Sequence, residues 1–227
     1  MFKKKRKEIV AIIPARGGSK GIHKKNLQQL DRIPLIAYSI LVAQKVKQIT
    51  RIVVSTDSEE IVEIARHYGA EVPFLRPSYL ADDKAKLSMV FDHILLGLKE
   101  IEGYTPDVIV HMLPSHPFRS PELLKTLLYK INEGYQSVIT VKPIHLNHFA
   151  WCIVGTDKSI KRIQPTNIST VNHVYRSYGL LYARYTHPSP LGQYVHCLQE
   201  PTELIDIDDP DDFFMAEQII KNGLYTL

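Results

Sequence analysis

Apolar runs of strand length alternate with longer segments of helical period through the first two thirds of the chain. Glu8–Ile13 is a near-continuous apolar run; a Gly-rich turn follows, and then a helical segment over Pro34–Lys47 with apolar positions at Ile36, Ile40, Val42 and Val46. The rhythm continues with strands predicted at Arg51–Ser55, Val72–Leu75, Asp107–Met112 and Ser137–Val141. Helices are predicted between them at Ser58–Tyr68, Leu87–Glu102 and Pro121–Asn132. Runs such as IVAIIP and RIVVS leave no polar face, which suits parallel strands covered by helices on both sides. The pattern predicts an α/β fold with a doubly wound, mostly parallel sheet.

After Lys142 the rhythm breaks. Residues 143–200 are rich in Pro, His and Tyr, with short strand-like pieces at Phe149–Val154, Gly179–Arg184 and Val195–Leu198, and the next long helix is predicted at Pro210–Lys221. This stretch reads as a small inserted β-rich lobe or arm, because no Gly/Ser-rich linker sets it apart. One domain over 1–227 is expected.

Composition supports a single full-sized core: 227 residues, 44% hydrophobic and 23% charged, are not the mixture of a disordered chain. The 28 basic residues exceed the 24 acidic ones only through the cluster Lys3, Lys4, Lys5, Arg6 and Lys7. That cluster reads as a solvated, frayed tail over residues 1–7 rather than as a nucleic-acid or membrane contact. The first apolar stretch, Ile9–Ile13, is strand-sized and ends at Pro14, unlike a secretion signal. No run approaches the roughly 20 apolar residues of a membrane span, so a soluble, cytoplasmic protein is expected. Cys152 and Cys197 lack metal-type spacing and read as reduced thiols.

Ligands of such sheets bind at the carboxyl ends of the strands. The turn there reads Pro14-Ala15-Arg16-Gly17-Gly18-Ser19-Lys20-Gly21-Ile22-His23-Lys24-Lys25-Asn26. Its glycines allow backbone N–H groups to approach an anion, and Arg16, Lys20 and Lys25 can neutralise phosphate charge. It matches neither GxxxxGK[ST] nor GxGxxG. A second constellation is Leu204-Ile205-Asp206-Ile207-Asp208-Asp209-Pro210-Asp211-Asp212. In an extended segment Asp206 and Asp208 project to one face, a carboxylate pair suited to Mg²⁺. Asp209, Asp211 and Asp212 surround Pro210 and read as cap and helix-dipole partners. His145 and His148 find no third ligand at zinc-site spacing and read as surface histidines.

Taken in order, IIPARGGSKGIHKKN, IVVSTDSEEI, FLRPSYLADD, LPSHPFRS, YRSYGLLY and IDIDDPDDF resemble the acylneuraminate cytidylyltransferase family, the CMP-sialic acid synthetases and their relatives. The resemblance spans nearly the whole chain. It implies a Rossmann-like nucleotidyltransferase fold and a homodimer in which the inserted arm reaches the neighbouring subunit. It implies CTP across the first loop, with Ala15, Arg16, Gly17, Gly18, Ser19, Lys20 and Lys25 around the triphosphate and Asn26, Arg76 and Ala85 by the cytidine. Asp206 and Asp208 would carry magnesium, and Arg16, Lys20, Asp206 and Asp208 would serve catalysis. Ser115, His116, Arg176, Tyr178 and Tyr182 fall at the acceptor.

The departures from the family bear on the acceptor. Where relatives usually read LQPTSPLR, this chain has Leu113 for the Gln, Ser115 for the Thr and His116 for the following Ser. An ungapped reading finds Ala150 and Ile168 where many relatives carry cations near the sugar's carboxylate. The expected acceptor is a nonulosonic acid of the sialic or legionaminic type, with N-acetylneuraminate itself a poor substrate. A phosphonate or another ulosonic acid is the alternative within the same chemistry. A non-catalytic nucleotide- or nucleic-acid-binding module is the rival of a different class, and the Asp206/Asp208 pair argues against it, since carboxylates beside phosphates do not help a pure anion binder.

Overall fold

The computed structural model describes residues 6–82, 84–144, 150–154, 159–163 and 174–227. Its central sheet has six strands: β1 (Ile9–Pro14), β4 (Arg51–Ser55), β5 (Val108–His111), β6 (Tyr135–Ile144), β9 (Val174–Tyr185) and β10 (Leu191–Cys197), in the order β10-β6-β9-β5-β1-β4. All run parallel except β9, which is antiparallel to both of its neighbours. Two short strands, β2 (Gln29–Leu30) and β3 (Ile33–Pro34), make a small hairpin, and β7 (Ala150–Val154) pairs with β8 (Ser159–Ile163) as a separate two-stranded sheet.

The side-chain period of two sends β1 into both cores. Ile9, Ala11 and Ile13 pack with helices α1 (Leu35–Gln44), α2 (Glu59–His67) and α4 (Pro121–Asn132), while Val10 and Ile12 pack with α3 (Leu87–Glu102) on the opposite face. The sheet is therefore covered on both sides, as its apolar strands require. Helix ends follow local chemistry. Ser120 caps α4 by accepting from Leu123 N at 3.0 Å, with Pro121 at the first turn. Gly103, at φ 63°, closes α3 in the left-handed region. The last helix, α5 (Pro210–Lys221), opens with a reciprocal capping box between Asp209 and Asp212, in agreement with the cap reading of those acids.

Three sequence expectations change. Val72–Leu75 is not a strand: only Glu71 bridges to Val53, and Pro73, which lacks an N–H, stands two residues on. Gly179–Arg184 and Val195–Leu198 were assigned to the inserted lobe, yet β9 and β10 are members of the central sheet. Arg6 and Lys7 are docked rather than frayed: Arg6 donates to Lys47 O, and Lys7 Nζ donates to Tyr185 OH and, at 3.0 Å, to Asn132 Oδ1. Lys3, Lys4, Lys5, His145, His148 and Ile168 lie outside the described residues. No helix among the described residues is long and apolar enough to cross a membrane.

The strand β9 carries an irregularity that shapes the site. Ile139 pairs with Tyr182 and Thr140 with Tyr178, which leaves Gly179, Leu180 and Leu181 outside the ladder. Thr140 splices the break, its Oγ1 donating towards Tyr178 O at 2.7 Å and accepting from Leu181 N at 3.2 Å.

Candidate active site

At the carboxyl ends of β1 and β5 a cleft of about 530 Å³ opens. Arg16, Ser19, Lys20, Gly21, Lys25 and Asn26 line it from the turn after β1. Arg76, Asp82 and Ala85 come from the segment ahead of α3, Leu113, Pro114 and Ser115 from the turn after β5, and Asp208 from ahead of α5. Arg76 is 6% exposed, and its Nε and Nη2 have no hydrogen-bond partner among the described residues. The nearest carboxylate, Asp57 Oδ1, is 3.9 Å from Nη2. Burial lowers the Arg76 pKa below the ordinary arginine value, against the opposing pull of Asp57. A buried guanidinium with open donors on a cleft is placed to take acceptors from whatever fills that cleft, water or ligand.

The glycines of the first loop answer to space rather than to left-handed dihedrals; the left-handed residue there is Lys24, at φ 50°. A Cβ on Gly21 would fall 2.0 Å from Asp208 O, and one on Gly17 would fall 2.9 Å from Ser58 Cβ, whereas Gly18 has nothing within 4 Å. Gly21 is therefore the residue that lets the loop lie against the aspartate segment. The expectation that Gly17 offers its N–H to an anion is not met here, because that N–H donates to Asp57 Oδ1 at 2.9 Å. Asn26 is buried and donates to Arg16 O at 3.0 Å, tying the two ends of the loop together. Lys25 donates to Ile207 O and to Asp208 Oδ1, the latter at 3.0 Å, so its charge is directed at the carboxylates.

Residues 205–208 form no ladder. The segment is pinned by Ile207, which is fully buried and whose N–H donates to Ser115 O at 2.8 Å. Asp206 and Asp208 flank it as a rib between two clefts. Asp208 faces the first, and Asp206 lines a second of about 450 Å³ together with Lys142, Arg176, Ser177, Tyr178 and Asp212. His116 stands behind the rib, 2% exposed, with Nδ1 3.0 Å from Asp206 Oδ1 and 2.9 Å from Ser115 Oγ. Burial lowers the His116 pKa, outweighing the hydrogen bond to Asp206. Asp206 is also buried, which opposes ionisation, but the bonds from His116 and Ser115 and the charge of Lys25 leave its pKa below the usual value. The pair is thus a neutral imidazole donating Nδ1–H to an ionised carboxylate.

Most of the residues singled out from the sequence meet at these two clefts. Ala15 does not: it is 1% exposed and packs in the sheet core, and Gly17, Gly18 and His116 also line neither cleft, His116 being buried behind the rib. Tyr182 lies on the α3 side of the sheet, its ring 4.8 Å from that of His111, which stacks on Phe91. The sequence reading missed Arg119, although it sits inside LPSHPFRS. Arg119 is fully buried and donates to Leu180 O at 2.6 Å, to Ser39 Oγ at 2.9 Å and to Leu113 O, joining the β9 irregularity to the turn after β5. Burial lowers its pKa to about 9.

Among the described residues no three His, Cys, Asp or Glu side chains gather as a metal cage. Asp208 on the basic cleft, with Asp206 two residues away on the same rib, is nevertheless a donor set that fits magnesium, which commonly takes one or two protein carboxylates together with substrate phosphates.

A parallel sheet with one reversed strand, and a basic loop facing an aspartate rib, define a nucleotidyltransferase. The solved structure of CMP:2-keto-3-deoxy-manno-octonic acid synthetase complexed with CTP shares the fold, with TM-score 0.68 and 15% identity over 95% of this chain and 99% of that one. A CMP-N,N'-diacetyllegionaminic acid synthase of Legionella pneumophila is 31% identical over 94% of this chain and 96% of its own length. A pseudaminic acid cytidylyltransferase of Campylobacter jejuni is 51% identical over 51% of this chain and 50% of its own. The cytidylyltransferase family model matches residues 10–202. The chain belongs to the cytidylyltransferase family and is a CTP-dependent cytidylyltransferase.

Proposed function

We propose that the enzyme transfers CMP from CTP to a nonulosonic acid of the sialic, legionaminic or pseudaminic type, releasing pyrophosphate. The observation that carries the reading is the rib: Asp208 faces the cleft of Arg16, Lys20 and Arg76, while Asp206, one residue removed across buried Ile207, faces the cleft of Arg176 and Tyr178. A triphosphate in the first cleft and an acid in the second would meet at the two carboxylates. The acceptor hydroxyl oxygen bonds to the α-phosphorus, the bond from that phosphorus to the bridging oxygen breaks, and pyrophosphate leaves with the electron pair while the hydroxyl proton passes to solvent.

In this reading Arg16, Ser19 and Lys20 hold the phosphates, and Asn26, Arg76 and Ala85 border the nucleoside. Lys25 and His116 hold the rib. Catalysis is alignment plus neutralisation of charge, and no side chain need form a covalent bond. Asp206 and Asp208 would hold the magnesium ion, which supplies further neutralisation of phosphate charge when bound. A homodimer is part of the same proposal and is tested by sedimentation of the full chain.

The experiment is a screen of acids with CTP and Mg²⁺, read as pyrophosphate release. Legionaminic, pseudaminic and N-acetylneuraminic acids are compared with an eight-carbon ulosonic acid and small phosphonates. Turnover of a nonulosonic acid supports the reading, and a preference for a phosphonate overturns it.

A further inference from the structure

We propose that Lys142 and Arg176 form the subsite for the acceptor's carboxylate, so that this chain binds the acid group with a cation pair on its own central sheet. The inference rests on the acceptor reading above. The two residues are direct partners in the antiparallel ladder of β6 and β9, and directly paired residues project from the same face. Like charges placed opposite one another in a ladder repel. Neither has a hydrogen bond or ion pair to a carboxylate among the described residues.

Both cations line the second cleft, and the acids that share it are engaged elsewhere. Asp206 is held by His116 at 3.0 Å, and Asp212 accepts from Asp208 N at 2.9 Å and Asp209 N at 3.1 Å. Lys142 is also aimed. Its Nζ lies 4.7 Å from the ring centre of Tyr178, the diagonal neighbour of the ladder, and Tyr178 is itself anchored by donating to Leu204 O at 2.7 Å. The arrangement is a repulsive pair with one member fixed on an aromatic face, opening on a cleft that ends at the catalytic rib. A carboxylate seated between the two relieves the repulsion and gains charge-assisted hydrogen bonds from both. The cleft then selects acids over their neutral analogues.

The test uses the full chain with CTP and Mg²⁺, and legionaminic, pseudaminic and N-acetylneuraminic acids with their methyl esters as probes. Lys142→Gln is expected to raise the KM for the acid by roughly 10- to 100-fold, the range for losing a hydrogen bond to a charged group, and to leave the KM for CTP near its wild-type value. The preference for acid over ester should fall by a similar factor, and Lys142→Arg should restore most of both. An unchanged acid KM and an unchanged acid-to-ester ratio in Lys142→Gln, with the wild type active, overturn the subsite. Failure of the wild type to turn over any of the three acids overturns the acceptor reading itself, and the subsite with it.

Discussion

His116 Nδ1 and Asp206 Oδ1 lie 3.0 Å apart across ninety residues of chain, and the imidazole's other nitrogen, Nε2, is buried without a partner among the described residues. The bond therefore fixes the tautomer. One oxygen of Asp206 is occupied by its donor, and the carboxylate is held in a single orientation on the rib. Groups that orient a metal-binding carboxylate in this way contribute roughly 10- to 100-fold in metal affinity or activity. His116→Ala is expected to lower turnover by about that factor and to raise the magnesium concentration needed for half-maximal rate, whereas His116→Asn, which restores a donor, should recover part of it. A magnesium dependence identical to wild type in His116→Ala would remove the positioning role.

Asp208→Asn and Asp206→Asn test the rib directly. Neutralisation of phosphate charge is worth several kcal/mol, so each variant should lose on the order of a thousandfold or more in kcat while its circular dichroism and Tm stay close to wild type. Pyrophosphate release at wild-type rates from both would reject the rib as the catalytic element.

Gly21→Ala separates space from phosphate contact in the first loop. The new Cβ would start 2.0 Å from Asp208 O, so loop and rib must part. Overpacking of this kind costs roughly 1–3 kcal/mol. Gly18→Ala meets nothing within 4 Å and serves as the control. The KM for CTP should rise in the first variant and hold in the second; equal effects would mean that the contact with Asp208 is not what makes Gly21 necessary.

Much of the fold was legible in the sequence because β1, β4 and β5 are apolar on both faces, a pattern that only a doubly covered sheet explains. Val72–Leu75 misled because it is apolar and short without offering a ladder's hydrogen bonds. β9 and β10 were assigned to the lobe because their place in the sheet depends on pairing with β6 and β5, which local pattern does not encode. The site followed the same division. Arg16, Lys20, Asp206 and Asp208 stand in dense motifs, whereas the pairings of His116 with Asp206 and Lys142 with Arg176 join distant segments, and the burial of Arg119 depends on packing against Ser39 and Leu180, far away in the chain.

Arg119→Met is expected to be strongly destabilising. It would leave Leu180 O and Leu113 O without their buried donor, at about 1–3 kcal/mol for each unsatisfied group. Urea denaturation should show the loss, and Ser39→Ala, which removes one hydroxyl partner of Arg119 and leaves its bonds to Leu180 O and Leu113 O in place, should show much less. Similar stabilities for Arg119→Met and wild type would contradict the account of this cation as the tie between the two segments.

His111 governs part of the acid limb of stability. Burial, with a smaller contribution from Arg184, lowers its pKa from 6.5 to about 3. Between those values the unfolded chain binds a proton that the folded chain refuses, so this group's contribution is complete above pH 6.5 and declines as pH falls towards 3. His111→Phe, which keeps the stack on Phe91, should reduce the stability lost between pH 7 and pH 5 by up to about 2 kcal/mol. An unaltered pH slope would show that His111 titrates normally in the folded protein.

The central claim is cytidylyl transfer through the paired clefts, and the most direct measurement is pyrophosphate release from each of CTP, UTP, ATP and GTP, with and without a nonulosonic acid, in Mg²⁺. The account predicts release from CTP alone, dependent on the acid and matched mole for mole by a CMP–sugar product in the mass spectrum. Release that proceeds equally with a purine triphosphate, or from CTP without the acid, would contradict it.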